Sequence, residues 1–460
     1  MYIEQMYTQC LAEAAYYIES QGEAAIIDPI REIDSYLEKA KQRGAKIKYV
    51  FETHFHADFV SGHIDLAAKT GAKIIYGPGA ETNYEVYNAH NGEEFALGNV
   101  KIKALHTPGH TLESTCFLLL DEQGQQHSVF TGDTLFVGDV GRPDLLTGTV
   151  SKEDLAGMLF DSLQNQIKPL ADAVVVYPAH GAGSACGKNI GKETSSTIGL
   201  QKQLNYALKE TNKQKFINLI TEGLTAPPPY FFKDAQINQQ GYENIDQVLL
   251  RNLNPLDPAA FKKQFAPGVL LLDTRKPAEF EKSFIKGAIN IGLNGSFAVW
   301  VGTLIDIQTP LLLITEEGKE EESIIRLARV GFENVKGYLK GGMQSWVKAG
   351  EPLDTIASIS APLFAERILA EQPFVMDVRN STEYDSGHVK DAIHISLAEL
   401  KSHLKELDKK ENYLIHCASG YRSTIAASML KRNGFDHVFN VEGGFDRIKG
   451  TNAPLANKMR

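Results

Sequence analysis

Short apolar runs alternate with amphipathic stretches over the first 190 or so residues. EAAIIDP, from Glu23, and KIKYVFETH, from Lys46, read as buried strands that run into polar loops. IDSYLEKAKQRG and HIDLAAKTG place apolar residues at helical spacing and stop at glycine. SVFTGD and ADAVVVYPAH again pattern as strands that end in polar residues. Residues able to bind a metal thus gather at strand ends, where α/β folds build their sites. A helical stretch is expected over about 191–223, followed by the breaker-rich TEGLTAPPPYFFKD, which puts the end of a first domain near residue 245.

The remainder repeats itself. LLDTRKPAEFEKSFIKGAINIGL, from Leu271, aligns without gaps with VMDVRNSTEYDSGHVKDAIHISL, from Val375, at an offset of 104 residues. Asp273 falls on Asp377, Arg275 on Arg379 and Glu279 on Glu383. Two related α/β domains are therefore expected, at 246–355 and 356–460, after a first domain at 1–245.

Composition narrows the class. The chain has 460 residues, 43% hydrophobic and 23% charged, as in a globular multi-domain protein. A net charge of −10 argues against nucleic acid or an anionic membrane surface as partner. No apolar run approaches the ~20 residues needed to span a bilayer. The opening MYIEQMYTQCLAEAAYYIES lacks a basic start and an apolar signal core, so a cytoplasmic location is expected. The four cysteines, Cys10, Cys116, Cys186 and Cys417, are scattered, which speaks against disulfides and against a structural zinc site. Cys10 and Cys116 sit in strand-like runs and read as core.

THFHADF places His54, His56 and Asp58 just after a strand, and HTPGHT, VFTGDTLF and VYPAHG add His110, Asp133 and His180 in matching contexts. These motifs resemble the metallo-β-lactamase superfamily, in particular its glyoxalase II-like hydrolases and persulfide dioxygenases. The resemblance implies an αββα sandwich with a metal at one edge. Two-metal members carry a histidine where this chain has Phe59, so a ligand for the second metal is missing. In persulfide dioxygenases the resemblance implies a single Fe(II) per chain, held by His54, His110 and Asp133, the facial triad of non-haem iron oxygenases. His56 and Asp58 then become supporting groups, while His180 and Tyr177 line the pocket. Arg142 matches a position that helps hold the thiol substrate, with a structural role in its own loop as the alternative. Cys186 is either an extra thiol near the iron or a buried inert cysteine.

YLIHCASGYRSTIAASMLKRNG reads as strand, tight loop and helix, with Cys417 at the strand end. Loop N–H groups and the guanidinium of Arg422 favour a thiolate there. HCxxGxRS resembles rhodanese sulfurtransferases and, less closely, Cys-dependent phosphatases. Four residues separate Cys417 from Arg422, one fewer than in a phosphatase cradle, which suits a sulfur atom better than a phosphate. The resemblance implies that Cys417 carries a persulfide and that Ser419, Gly420 and Ser423 contact the sulfur substrate. In the first repeat Thr315 replaces the cysteine and glutamates crowd the loop, so that repeat is expected to be silent.

Together these segments resemble fused persulfide dioxygenase–rhodanese proteins. The resemblance implies oxidation of a low-molecular-weight thiol persulfide (of glutathione, coenzyme A or bacillithiol type) by O₂ to sulfite, with thiosulfate as product or donor at Cys417. It also suggests a homodimer or homotetramer. The alternative is a zinc-dependent glyoxalase II-like thioester hydrolase with an appended sulfurtransferase.

Overall fold

The computed structural model describes residues 1–145, 150–224, 226–371 and 373–456. The chain folds as two units, Met1–Val248 with Leu327–Gly331, and Leu249–Arg326 with Phe332–Arg460.

The first unit contains two six-stranded sheets. One orders Tyr2–Thr8 (β1), Glu13–Ser20 (β2), Glu23–Ile27 (β3), Lys46–Phe51 (β4), Lys73–Tyr76 (β5) and Tyr87–Asn88 (β6) in sequence. The other is built from Glu94–Leu97 (β7), Val100–His106 (β8), Thr115–Leu120 (β9), Gln126–Gly132 (β10), Val175–Pro178 (β11) and Ser196–Thr197 (β12), again in sequence order. Alternate residues of the two sheets meet in one core. Tyr16, Ile18, Phe51, Phe95, Ile102, Phe117 and Phe130 are all buried there, and the Phe51 and Phe117 rings lie 4.7 Å apart. The opposite face of the second sheet buries Leu118, Val129 and Val176 against Leu159 and Phe216, from the helices Lys152–Ser162 and Lys213–Thr221. Helices Asp34–Arg43 and His63–Thr70 pack on β4. The expected αββα sandwich is the fold.

Two local expectations need correction. The stretch 191–223 is not one helix but three short ones, Ile198–Leu204, Tyr206–Lys209 and Lys213–Thr221. Asn205 and Asn212 adopt extended backbone between them, and each side chain accepts an N–H of the next helix, the competition that makes asparagine a cap rather than a helix interior. Cys10 lies in a turn and is half-buried rather than in a core strand, whereas Cys116 is buried in β9.

The second unit contains two five-stranded sheets of the same strand order. Pro255–Leu256 (β13), Leu270–Asp273 (β14), Ile289–Asn290 (β15), Leu311–Ile314 (β16) and Val335–Leu339 (β17) are arranged β13-β17-β16-β14-β15. Ala357–Ile359 (β18), Phe374–Asp377 (β19), His388–Val389 (β20), Ile393–His394 (β21), Tyr413–His416 (β22) and Val438–Val441 (β23) follow. All but β20 form a sheet ordered β18-β23-β22-β19-β21. Neighbouring strands are parallel in both sheets. Their apolar central strands, LLLD, LLLI, FVMD and YLIH, read as buried runs, as strands covered on both faces do.

One device recurs in both repeats. The Arg275 guanidinium forks onto Asp273 and donates to the Ser283 carbonyl at 2.9 Å. Arg379 forks onto Asp377 and donates to the Gly387 carbonyl at 2.7 Å. Pairing of Asp273 with Ile314, and of Asp377 with His416, puts Thr315 and Cys417 at equivalent strand ends. No helix among the described residues is long and apolar enough to cross a membrane.

Candidate functional site

Strand ends of the first unit converge on a buried set of donors. His54 follows β4, His110 lies between β8 and β9, Asp133 follows β10 and His180 follows β11. One ligand atom from each of His54, His110 and Asp133 can be chosen so that all lie within 4.8 Å of one another. His110 Nε2 is 3.4 Å and His54 Nε2 3.9 Å from Asp133 Oδ2.

The supporting groups fix which nitrogen of each ring faces this point. The Thr53 hydroxyl donates to Asp28 Oδ2 at 2.8 Å, so it must accept from His54 Nδ1, 2.9 Å away. His110 Nδ1 donates to the Arg142 carbonyl at 2.8 Å, and His180 Nδ1 to the Ala12 carbonyl at 3.2 Å. Each imidazole thus keeps a proton on Nδ1 and turns a lone pair on Nε2 towards the centre. Burial, with the nearby rings of His56, His110 and His180, holds His54 in its neutral form. His110 Nε2, His180 Nε2 and both Asp133 carboxylate oxygens are buried without a hydrogen-bond partner among the described residues. Such orphans are costly and rare in a folded interior. A first-row divalent cation bound by His54, His110 and Asp133 would satisfy His110 Nε2 and the Asp133 carboxylate, so the residues present fit a metal.

His56 points elsewhere. Its Nε2 lies 3.1 Å from Asp28 Oδ1 and 3.5 Å from Glu52 Oε2. Burial works against a charge on this ring. Asp28 and Glu52 outweigh it and push the imidazole up to about 10. Phe59, fully buried, lays its ring against that imidazole with centroids 4.3 Å apart. Asp28 and Glu52 had no role in the sequence reading, although both sit within two residues of a strand end.

Asp58, His180 and Cys186 form a second buried group with ligand atoms within 4.8 Å of one another. Burial, then Asp58 and Asp133, push the Cys186 thiol well above its ordinary range. Its loop is tied down by Asp139, which accepts from the Lys188 and Asn189 N–H groups at 2.7 and 2.6 Å and from the Tyr206 hydroxyl at 2.7 Å. Asp139 thus organises this loop. The Arg142 guanidinium forks onto Asp144 and also donates to the Ala185 carbonyl. Tyr177 is not brought to the donors. Strand alternation turns its ring into the inter-sheet core, stacked on Phe130 with centroids 5.4 Å apart.

In the second unit Cys417, almost fully buried, directly follows β22. The Gly420 N–H donates to its Sγ at 3.1 Å and the Ser423 hydroxyl reaches it at 3.5 Å. Gly420 has φ +112, a backbone state that glycine adopts most readily and that aims its N–H at the sulfur. The helix Tyr421–Arg432 starts at this loop, and Arg422 lines the same cavity as Cys417 and Ser419. Arg422 is held by Glu383 through a two-pronged pair at 2.6 and 2.7 Å. In the first repeat Glu320 occupies the place of Arg422, and the buried Thr315 hydroxyl has no partner among the described residues.

Comparison with known proteins agrees with this architecture. Residues 9–180 match the metallo-beta-lactamase superfamily, and residues 257–349 and 360–451 match the rhodanese-like domain. A probable hydroxyacylglutathione hydrolase of Schizosaccharomyces pombe is 34% identical over 35% of this chain and 60% of its own length. A hydroxyacylglutathione hydrolase of Pelagibacter ubique is 31% identical over 37% of this chain and 68% of its own. The chain spans about three fifths of the length of the fission-yeast relatives it matches. A crystal structure of a metallo-beta-lactamase from Staphylococcus aureus is 33% identical, covering 74% of this chain and 99% of that one at a TM-score of 0.66. The chain belongs to the metallo-β-lactamase superfamily and carries two rhodanese-like domains after the metallo-β-lactamase fold.

Proposed function

We propose that the chain is a bifunctional sulfur enzyme, with an iron-dependent persulfide dioxygenase at 1–245, a silent repeat at 246–355 and a sulfurtransferase at 356–460. The observation that carries the first activity is the donor set. Two imidazole nitrogens and one carboxylate converge, while His56 is drawn off by Asp28 and Glu52 and Phe59 stands where a further ligand is usual. Ferrous iron held by His54, His110 and Asp133 would supply open positions where a persulfide sulfur and O₂ can meet. The protein's own part is to hold the His54 and His110 rings by their Nδ1 protons. The balanced reaction takes a persulfide RSSH, O₂ and water to the thiol RSH and sulfurous acid, which ionises to sulfite. At Cys417 the sulfane sulfur of a donor would pass to Sγ, with the Gly420 N–H and the Ser423 hydroxyl supporting the anionic sulfur.

A second reading has its own support. The curated relatives are named hydroxyacylglutathione hydrolases, and Asp58, His180 and Cys186 offer donors for another cation. A zinc-loaded site would then cleave glutathione thioesters. The deciding experiment loads the protein with Fe(II) and, separately, with Zn(II), and offers glutathione persulfide and S-lactoylglutathione to each. Oxygen uptake with sulfite formation by the iron form is expected. Thioester cleavage without oxygen uptake would replace the dioxygenase reading with the hydrolase one.

A further inference from the structure

The cavity in front of Cys417 is not built by its own repeat alone. It has a volume of about 800 Å³, and the first repeat supplies part of its wall, including Lys276, Asn294, Ser296 and Trp300. The two repeats share one unit and are joined at this cavity by specific bonds. Tyr421, in the cysteine loop, donates its hydroxyl to the Gly292 carbonyl at 2.7 Å. Gly295 lies flat against the same ring, where a Cβ would come within 2.4 Å of it. Glu281 of the first repeat is buried and accepts from Thr424 at 2.5 Å, Asn440 at 2.7 Å and Ser358 at 2.5 Å, all in the second repeat.

The charges around the cavity matter for what it can bind. Its lining holds two cations, Arg422 and Lys276, and two carboxylates, Glu281 and Glu442. Arg422 is already matched by Glu383. Lys276 is exposed and makes no ion pair among the described residues. An incoming dianion therefore meets one uncommitted positive charge, and it comes from the repeat that lacks a cysteine. Glu442 on the rim strengthens the requirement, because without Lys276 the lining carries surplus negative charge.

We propose that Lys276 is the anion-binding residue of the Cys417 site and that it selects small sulfur oxyanions, thiosulfate as donor and sulfite as leaving or accepting group. The inference rests on the reading of Cys417 as a sulfur carrier. In the step concerned the Cys417 thiolate attacks the sulfane sulfur of thiosulfate. The new Sγ–S bond forms as the S–S bond of thiosulfate breaks, and sulfite leaves with the electron pair. Three negative charges enter and three remain, one on the persulfide and two on sulfite, so an ammonium at the cavity wall stabilises both sides of the transfer and chiefly affects binding.

The test is steady-state sulfur transfer from thiosulfate to cyanide in the full-length protein. Lys276→Gln is expected to raise KM for thiosulfate about tenfold with kcat within about twofold, the scale of one lost charge-assisted contact. Lys276→Arg should restore most of the affinity. Lys348→Gln, an exposed lysine of the same repeat away from the cavity, should leave KM unchanged. Cys417→Ser is run in parallel. If it abolishes transfer while Lys276→Gln leaves KM unaltered, the role of Lys276 is wrong and Cys417 stands. If transfer survives Cys417→Ser, the reading of Cys417 itself fails.

Discussion

Thr53→Val probes how the metal-binding rings are held. The Thr53 hydroxyl bridges Asp28 Oδ2 and His54 Nδ1, at 2.8 and 2.9 Å, in a site where Thr53 is 2% exposed. Space is tight, since a Cβ on Gly132 would fall 2.5 Å from Thr53 Oγ1, and valine fills the same volume without the hydroxyl. The substitution strips one donor from Asp28 Oδ2 and the acceptor from His54 Nδ1. Asp28 keeps the Thr53 N–H at 2.7 Å on its other oxygen. Each buried orphan costs about 1–3 kcal/mol, so the metal-stripped protein with two of them should lose about 2–6 kcal/mol. His54 also becomes free to move its proton to Nε2, which cannot bind a cation. Removing such a supporting bond lowers metal affinity about 10–100-fold, or about 1.4–2.7 kcal/mol. The assay is competition against a chelator, paired with thermal unfolding of stripped and loaded protein. The loaded form should lose more stability than the stripped one by the change in metal binding. Equal losses in both forms, with unchanged affinity for the cation, would refute the tautomer argument and leave Thr53 as packing only.

Phe59→His should raise the metal content from one towards two per chain and lower oxygen uptake by the iron-loaded protein; metal analysis still giving one per chain would separate Phe59 from the choice of metal number. Acidification should destabilise the second unit. Burial works to raise the Asp377 and Glu383 carboxyls, but hydrogen bonds from Arg379 and Arg422, respectively, leave both below the usual carboxylate range. A folded-state pKa below the unfolded one contributes stability above the ordinary carboxylate value and loses it as pH falls through the folded one. A melting temperature followed downward from pH 7 should therefore drop below about pH 4.5, less steeply in Asp377→Asn, and equal slopes in both proteins would count against the fork as the source.

Much of the fold was legible because its signals are local. Strand-end motifs announced His54, His110, Asp133 and His180 one loop at a time, and the uninterrupted offset between the Asp273 and Asp377 segments announced the repeat. The parts that escaped depend on direction or on distance across the fold. Whether His56 faces the metal donors or the Asp28–Glu52 pair is settled by side-chain rotation, which no spacing encodes. Tyr177 precedes His180 by three residues, yet the pleat sends its ring to the core. Asparagines cut the stretch after residue 191 into pieces that apolar periodicity joins. The cavity wall at Lys276 lies 141 positions before Cys417, a proximity created only by the docking of one repeat on the other.

The arginine fork bears on how such a chain acquires its shape. Each fork closes over ten residues or fewer, from Asp273 to Ser283 and from Asp377 to Gly387, so its loop-closure entropy is small. Each repeat can thus nucleate around the strand that carries its aspartate, β14 or β19, before its distant strands arrive. A gene segment copied in tandem carries that nucleus with it, independent of whatever sits at the strand end forty residues on. The loop at that strand end can therefore carry Cys417 in one repeat and Thr315 with a run of glutamates in the other while both keep the same strand order.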